Sequence, residues 1–131
     1  MAVIEQAVDS ILNGSAAVTA LVGSRIYAGK AAQNATDPCI VYSRISSERD
    51  HAMSADTGLA SARMQISCFG RHYSEAMDVA EAVRGALQDY SGAAGSVTIQ
   101  RSFVANERFL GYDESSRTYH VAIEFEIWHR E

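Results

Sequence analysis

Residues 74–90 read Ser-Glu-Ala-Met-Asp-Val-Ala-Glu-Ala-Val-Arg-Gly-Ala-Leu-Gln-Asp-Tyr, and this stretch sets the expectation for the rest of the chain. At 100° per residue, Ala76, Val79, Ala80, Val83 and Leu87 fall within one narrow arc, while Glu75, Asp78, Glu81, Arg84 and Gln88 take the remaining surface. The pattern predicts one amphipathic helix. Ser74 is the expected N-cap, Glu75 and Asp78 put negative charge near the positive end of the helix dipole, and Gly92 is the expected stop. Gly85 lies opposite the apolar arc, so it lowers helix propensity by about 1 kcal/mol without touching the packed face. A face this narrow and built of small residues lies flat on its support. Strand-like segments on both sides make that support a β-sheet.

Upstream, Ala60–Phe69 alternates Met64, Ile66 and Cys68 with Arg63, Gln65 and Ser67. Downstream, Val97–Val104 is a third strand, and Thr118–Trp128 carries the clearest period of two. Tyr119, Val121, Ile123, Phe125 and Ile127 share one face of it; His120, Ala122, Glu124, Glu126 and Trp128 share the other. One-sided alternation means one face is buried and the other meets water or a partner. Burying five such side chains contributes on the order of 10 kcal/mol before chain entropy is set against it. Pro38 opens a further strand, Cys39–Ser46, with β-prone Ile40-Val41-Tyr42 at its centre. Before it come a helix over residues 2–12 ended by Asn13-Gly14, a short helical segment Ala16–Val22 capped by Ser15, and an extended piece Arg25-Ile26-Tyr27. Residues 28–37 read as loop, and Ser91–Ser96 as a turn of small residues.

The order predicts an α+β domain over residues 1–131: a mostly antiparallel four-stranded sheet with helices packed on one face. Two polar stretches, Ser47–Leu59 and Asn106–Arg117, read as long loops, and long loops in compact domains are often functional. The central helix joins the second long strand to the third as a crossover, right-handed if those strands are parallel. Following the directions through, the two loops project from opposite ends of the sheet.

A chain of 131 residues with net charge −5 lacks the basic stripe a nucleic-acid clamp needs to displace counterions. No apolar run reaches membrane-spanning length, and the opening Met-Ala-Val-Ile-Glu-Gln-Ala-Val-Asp-Ser-Ile-Leu carries acids and no basic leader region, so a cytoplasmic origin is expected. Cys39 and Cys68 are then expected as reduced, buried small hydrophobes.

No catalytic constellation is present in the sequence. Gly23-Ser-Arg-Ile-Tyr-Ala-Gly29-Lys30 has one residue too many between its glycines for a P-loop, and Ala31 stands where a Mg²⁺-binding hydroxyl is required. His51, His72, His120 and His129 show no metal-ligand spacing with the cysteines. Glu124 and Glu126 read as a solvated sheet face rather than an acid–base pair, and His120 as a solvated or interface histidine. Neither a cofactor nor a metal is expected.

Several stretches in succession carry a family resemblance: Leu21-Val-Gly-Ser-Arg-Ile-Tyr27, Pro38-Cys-Ile-Val-Tyr-Ser-Arg-Ile-Ser46, Arg63-Met-Gln-Ile-Ser-Cys-Phe69, Tyr73–Arg84, and a last strand ending Phe125-Glu-Ile-Trp-His129. Together they resemble the tail completion, or tail terminator, proteins of long-tailed phages, prophages and gene transfer agents. The resemblance implies a structural virion protein without catalytic residues. It implies a homo-oligomeric ring, usually of six copies, on the head-proximal end of the tail tube. Such a ring stops tube polymerisation and offers a surface to the head–tail connector, with DNA passing through its lumen without specific binding. It implies no membrane partner, and a final location in the particle after assembly in the bacterial cytoplasm.

The expected interface residues are Glu48, Arg49, Asp50 and His51 in the first loop, Arg108, Phe109 and Tyr112 in the second, and the aromatic pair Tyr42 and Trp128, taken to point outward. A head–tail connector or stopper component is the alternative reading. A small α+β ligand-binding or enzymatic domain is another; it requires a deep pocket with convergent polar groups.

Overall fold

The computed structural model describes residues 3–30, 36, 38–51, 56–94, 97–114 and 117–130, with side chains left out at 3, 47–51 and 56–59. The elements run α1 (Val3–Gly14), α2 (Ala16–Val22), β1 (Ile26–Ala28), β2 (Cys39–His51), β3 (Asp56–Gly70), α3 (Tyr73–Leu87), β4 (Gly92–Ala94), β5 (Val97–Asp113) and β6 (Thr118–Arg130). The strands form one sheet in the order β1-β2-β3-β6-β5-β4. The α+β class holds, but the sheet has six strands rather than four. The added strands are three-residue edges: β1 pairs parallel with β2, and β4 pairs antiparallel with β5 where a turn was expected.

The four long strands pair antiparallel with one another and share levels across the sheet. Tyr42, Ile66, Ile123 and Glu107 form one row, and Ile40, Cys68, Val121 and Phe109 another. Side chains of these rows face the helices. There Ile40, Tyr42, Met64, Ile66, Cys68, Ile123, Phe125 and Ile127 join Ile4, Val8 and Leu12 of α1, Val18 and Val22 of α2, and the predicted arc of α3 in one core. Both cysteines are buried, and burial pushes the Cys68 thiol upward, so it stays protonated.

α3 begins one residue before the expected cap. His72 is the N-cap and makes no side-chain hydrogen bond; instead Glu75 reaches back to accept the Arg71 backbone N–H at 2.9 Å. The helix ends at Leu87, well before Gly92, where Gln88 turns to extended geometry and its N–H still bonds the Arg84 carbonyl. The entry to α3 is tight. A Cβ on Gly70, the last residue of β3, would stand 2.6 Å from the Ala76 nitrogen. α2 is capped as expected, with Ser15 Oγ accepting the Val18 N–H at 3.4 Å.

The larger correction concerns the two polar stretches. Ser47–Leu59 is mostly strand: β2 runs to His51, β3 starts at Asp56, and residues 52–55 lie outside the described residues. Asn106–Arg117 is also mostly strand, since β5 continues to Asp113 and β6 resumes at Thr118. Both are hairpin arms. Register shifts between Arg44 and Ser46, Arg49 and His51, Val104 and Asn106, and Phe109 and Gly111 break the period of two in sequence. Leu59 pairs with Arg130 and Gly70 with Tyr119, so the two hairpin turns lie at opposite ends of the sheet.

Gly70→Ala is expected to destabilise the protein by about 1–3 kcal/mol, because the backbone of α3 must move to admit a methyl group. Gly85→Ala, with nothing within 4 Å of the new atom, is expected to stabilise it by about 0.5–1 kcal/mol. Urea midpoints at unchanged slope would measure both.

Candidate functional site

The two faces of the sheet carry different chemistry. On the helix face, α1 and α3 are tied to the strands by polar contacts at the two ends of one row. Tyr42 Oη donates to Asp9 Oδ2 of α1 at 2.6 Å, and Arg84 of α3 holds Glu107 at 2.9 Å. Arg44, one row further, pairs with Glu5 at 2.6 Å. Tyr42 is therefore not an outward anchor: its ring is fully buried, and only its hydroxyl meets a polar group. Burial, followed by the Asp9 carboxylate, pushes its phenol upward, so it remains a donor. The alternation in Ile40-Val41-Tyr42 fits either phase; α1 decides it by presenting Asp9 above the strand.

The other face is open and carries a charged ladder. Arg63 reaches Glu124 at 3.4 Å and Glu126 at 3.8 Å, and Arg108 reaches Glu124 at 3.4 Å and Gln65 at 3.1 Å. The two glutamates are thus neutralised by arginines across the strands, which fits a stabilised sheet surface rather than an acid–base pair. Trp128 stands half-buried on this face, level with Ser61 and Arg101. Arg101 lies over the Phe103 ring at 4.9 Å, and Phe69 stacks on His120 at 4.4 Å.

Large exposed apolar side chains concentrate on the β5–β6 arm. Phe109 is 56% exposed, Leu110 51% and Tyr112 47%, and Tyr73 at the start of α3 is 60% exposed beside them. Tyr119 links the group, 4.9 Å from the Tyr112 ring and 6.0 Å from that of Tyr73. A cavity of about 70 Å³ lies beneath, lined by Tyr73, Ala76, Phe109, Tyr119 and His120. Phe109 and Tyr112 were expected at an interface, and the fold brings them together; Arg108 turns to the opposite face. Tyr73, Leu110 and Tyr119 were missed. Only Tyr119 had a signal, the recurrence of aromatic residues near the two ends of one arm, hidden by the bulge at Leu110. Glu48, Arg49, Asp50 and His51 lie on the β2 arm, with side chains outside those described.

Among the described residues no three His, Cys, Asp or Glu side chains gather as a metal site. The groove between α2 and α3, about 620 Å³, is open and lined mainly by Ala17, Ala20, Leu21, Ala82, Gly85 and Ala86, with Asp78 and Glu81 at its side.

The charged sheet face backed by helices and the apolar arm at one end are the distinctive surfaces of this fold, and comparison with known proteins gives its family. The family model for tail completion protein gp17 matches residues 6–130. The chain belongs to that tail completion family. Its fold matches a chain of the virion of a native gene transfer agent particle with a TM-score of 0.73, at 18% identity, covering 99% of this chain and 98% of the other. No curated protein matches the sequence. A tail completion protein is a structural component of phage-type tails.

One titratable group sits beside the apolar arm of this tail completion protein. His120 is half-buried, its Nε2 is enclosed without a hydrogen-bond partner, and burial together with Arg108 lowers its pKa below the usual histidine value. The unfolded chain therefore binds more protons than the folded one between the lowered value and about 6.5. Stability is expected to rise with pH through that window and to level off above it. His120→Phe should remove this component, seen as a smaller difference between urea midpoints at pH 5 and pH 7.5 than in the unsubstituted protein.

Proposed function

We propose that this chain caps the head-proximal end of a tail tube as a closed ring, six copies being the expected number. The whole chain acts as one terminator domain. The cap ends tube polymerisation and offers its far side to the head–tail connector. The observation that carries this reading is the placement of two long hairpin arms at opposite ends of one sheet in a chain of the tail completion family. A disc between two partners needs a contact at each end, and the arms supply one each. The role is mechanical and needs no catalytic group. The net charge of −5 suits a lumen through which DNA slides without being held. The protein is assembled in the bacterial cytoplasm and stays in the particle.

Electron microscopy of particles made without this gene is the test. Overlong tubes without heads, beside filled heads without tails, are expected. Tails of normal length that fail to join heads would assign the chain to the connector instead. Normal infectious particles would overturn both assignments.

A further inference from the structure

The six-stranded sheet leaves complementary gaps on its two edges. Tyr42, Ile66, Ile123 and Glu107 share one level, and "up" is taken here as the direction from that level toward the β2–β3 turn. On one edge, β1 covers β2 only at Ile40, Val41 and Tyr42, with the Gly29 N–H closing on the Tyr42 carbonyl. Above Tyr42 no described strand pairs with that side of β2. On the other edge, β4 covers β5 only at Val97, Thr98 and Ile99. The Asp89 N–H then bonds the Ser102 carbonyl, and the Gln88 side chain accepts the Val104 N–H at 2.9 Å. Below that, from Asn106 to Tyr112, no described strand pairs with the outer side of β5. Among the described residues, one edge is covered low and open high, and the other is covered high and open low.

We infer that copies of this chain join edge to edge in a half-lap β-joint, the β1 edge of one copy seated beside the open lower stretch of β5 in the next. The inference rests on the ring reading above and specifies the contact that builds it. Ala28 stands at the level of Glu107 and Ile26 at that of Phe109, so a neighbour rotated about an axis along the strands, with no vertical shift, brings β1 against Glu107–Phe109. β1 runs antiparallel to β5, the sense that continues the sheet. The same placement sets β4, whose Gly92 is level with Ile99 and Arg49, beside the open upper stretch of the neighbour's β2. Rotation without rise is the operation that closes a ring instead of growing a fibre.

Two independent observations point to a second copy as the occupant. All five of the exposed large hydrophobics among the described residues lie at these open stretches or beside them: Ile45 on β2, Phe109, Leu110 and Tyr112 on β5, and Tyr73 against the β5 arm. Patches of that kind mark protein contacts. The open stretches are also bulged, at Arg44/Ser46 on β2 and at Phe109/Gly111 on β5, where Gly111 has a φ of +80°. Bulged edges resist an arbitrary flat strand and accept a partner of matching curvature. The chain's own opposite edge, cut from the same curved sheet, is such a partner.

Single-cysteine variants test the joint. Ala28 and Leu110 are exposed, and the native Cys39 and Cys68 are buried. Ala28→Cys and Leu110→Cys proteins, treated with a short bismaleimide, should yield cross-linked dimer when mixed and none when treated separately. The double variant should give a ladder that ends in one largest species. Leu110→Asp should keep its circular dichroism and urea midpoint and weaken association by roughly tenfold or more. Cross-linking of Leu110→Cys alone as efficiently as the mixture would show a two-fold contact and overturn the joint. So would a mixture that does not cross-link, or a chain that sediments as a monomer up to its solubility limit. Those failures are distinct from failure of the cap reading: overlong tails without cross-linking would remove the joint and keep the cap, and cross-linking with normal tails would do the reverse.

Discussion

The structure depends on the close approach of α3 to the central strands β3 and β6. Ala76, Val79, Ala80, Val83 and Leu87 give the helix a buried face with little depth, so its backbone lies near the sheet. The cost of that closeness is concentrated at Gly70, where strand and helix backbones nearly touch and no side chain fits. A short approach leaves little room for relaxation, because protein interiors are packed to crystal density. Once α3 is seated, Arg84 meets Glu107 and the β5 strand is held to the same layer. α1 is fixed at the other end of that row by Asp9 and Tyr42. The row thus has an apolar middle and two charged or polar ends, each tying a different helix to a different side of the sheet.

This division frees the remainder of the sheet for contact with other chains. With the core complete on the helix side, the far face needs only to be soluble and rigid. The arginine–glutamate ladder provides both, pinning β3, β5 and β6 without demanding burial. The hairpin arms extend past the short edge strands and past most of the helical cover. Four of the five exposed large hydrophobics among the described residues, Ile45, Phe109, Leu110 and Tyr112, stand on β2 and β5, the long strands next to the short edge strands.

Legibility in the sequence followed burial. Elements with one wet and one dry side, α3 and β6 above all, were readable because their periodicity reports the boundary between core and water. The arms were not. From about Ala105 in β5 both faces of the strand lose cover, polar residues crowd the sequence of both arms, and the bulges shift the phase. Such a segment has the composition of a loop and the hydrogen bonding of a strand. β4 was hidden for a related reason: Gly92-Ala93-Ala94 has almost no strand propensity and pairs because β5 lies beside it. The candidate site was half legible. Phe109 and Tyr112 were named, but their meeting with Tyr73 and Tyr119 joins residues far apart in the chain.

Local pattern alone therefore determined the class, the helix on the sheet, the strand directions and the family, since these rest on periodicity, on turn residues and on the succession of motifs. Tertiary structure decided the phase of Tyr42, the six-strand order, the true length of the arms and the two short edge strands. Each of these depends on which groups from distant segments come within hydrogen-bonding reach. A sequence records what a residue prefers, and only the assembled sheet shows which of those preferences its neighbours satisfy and which remain open to another chain.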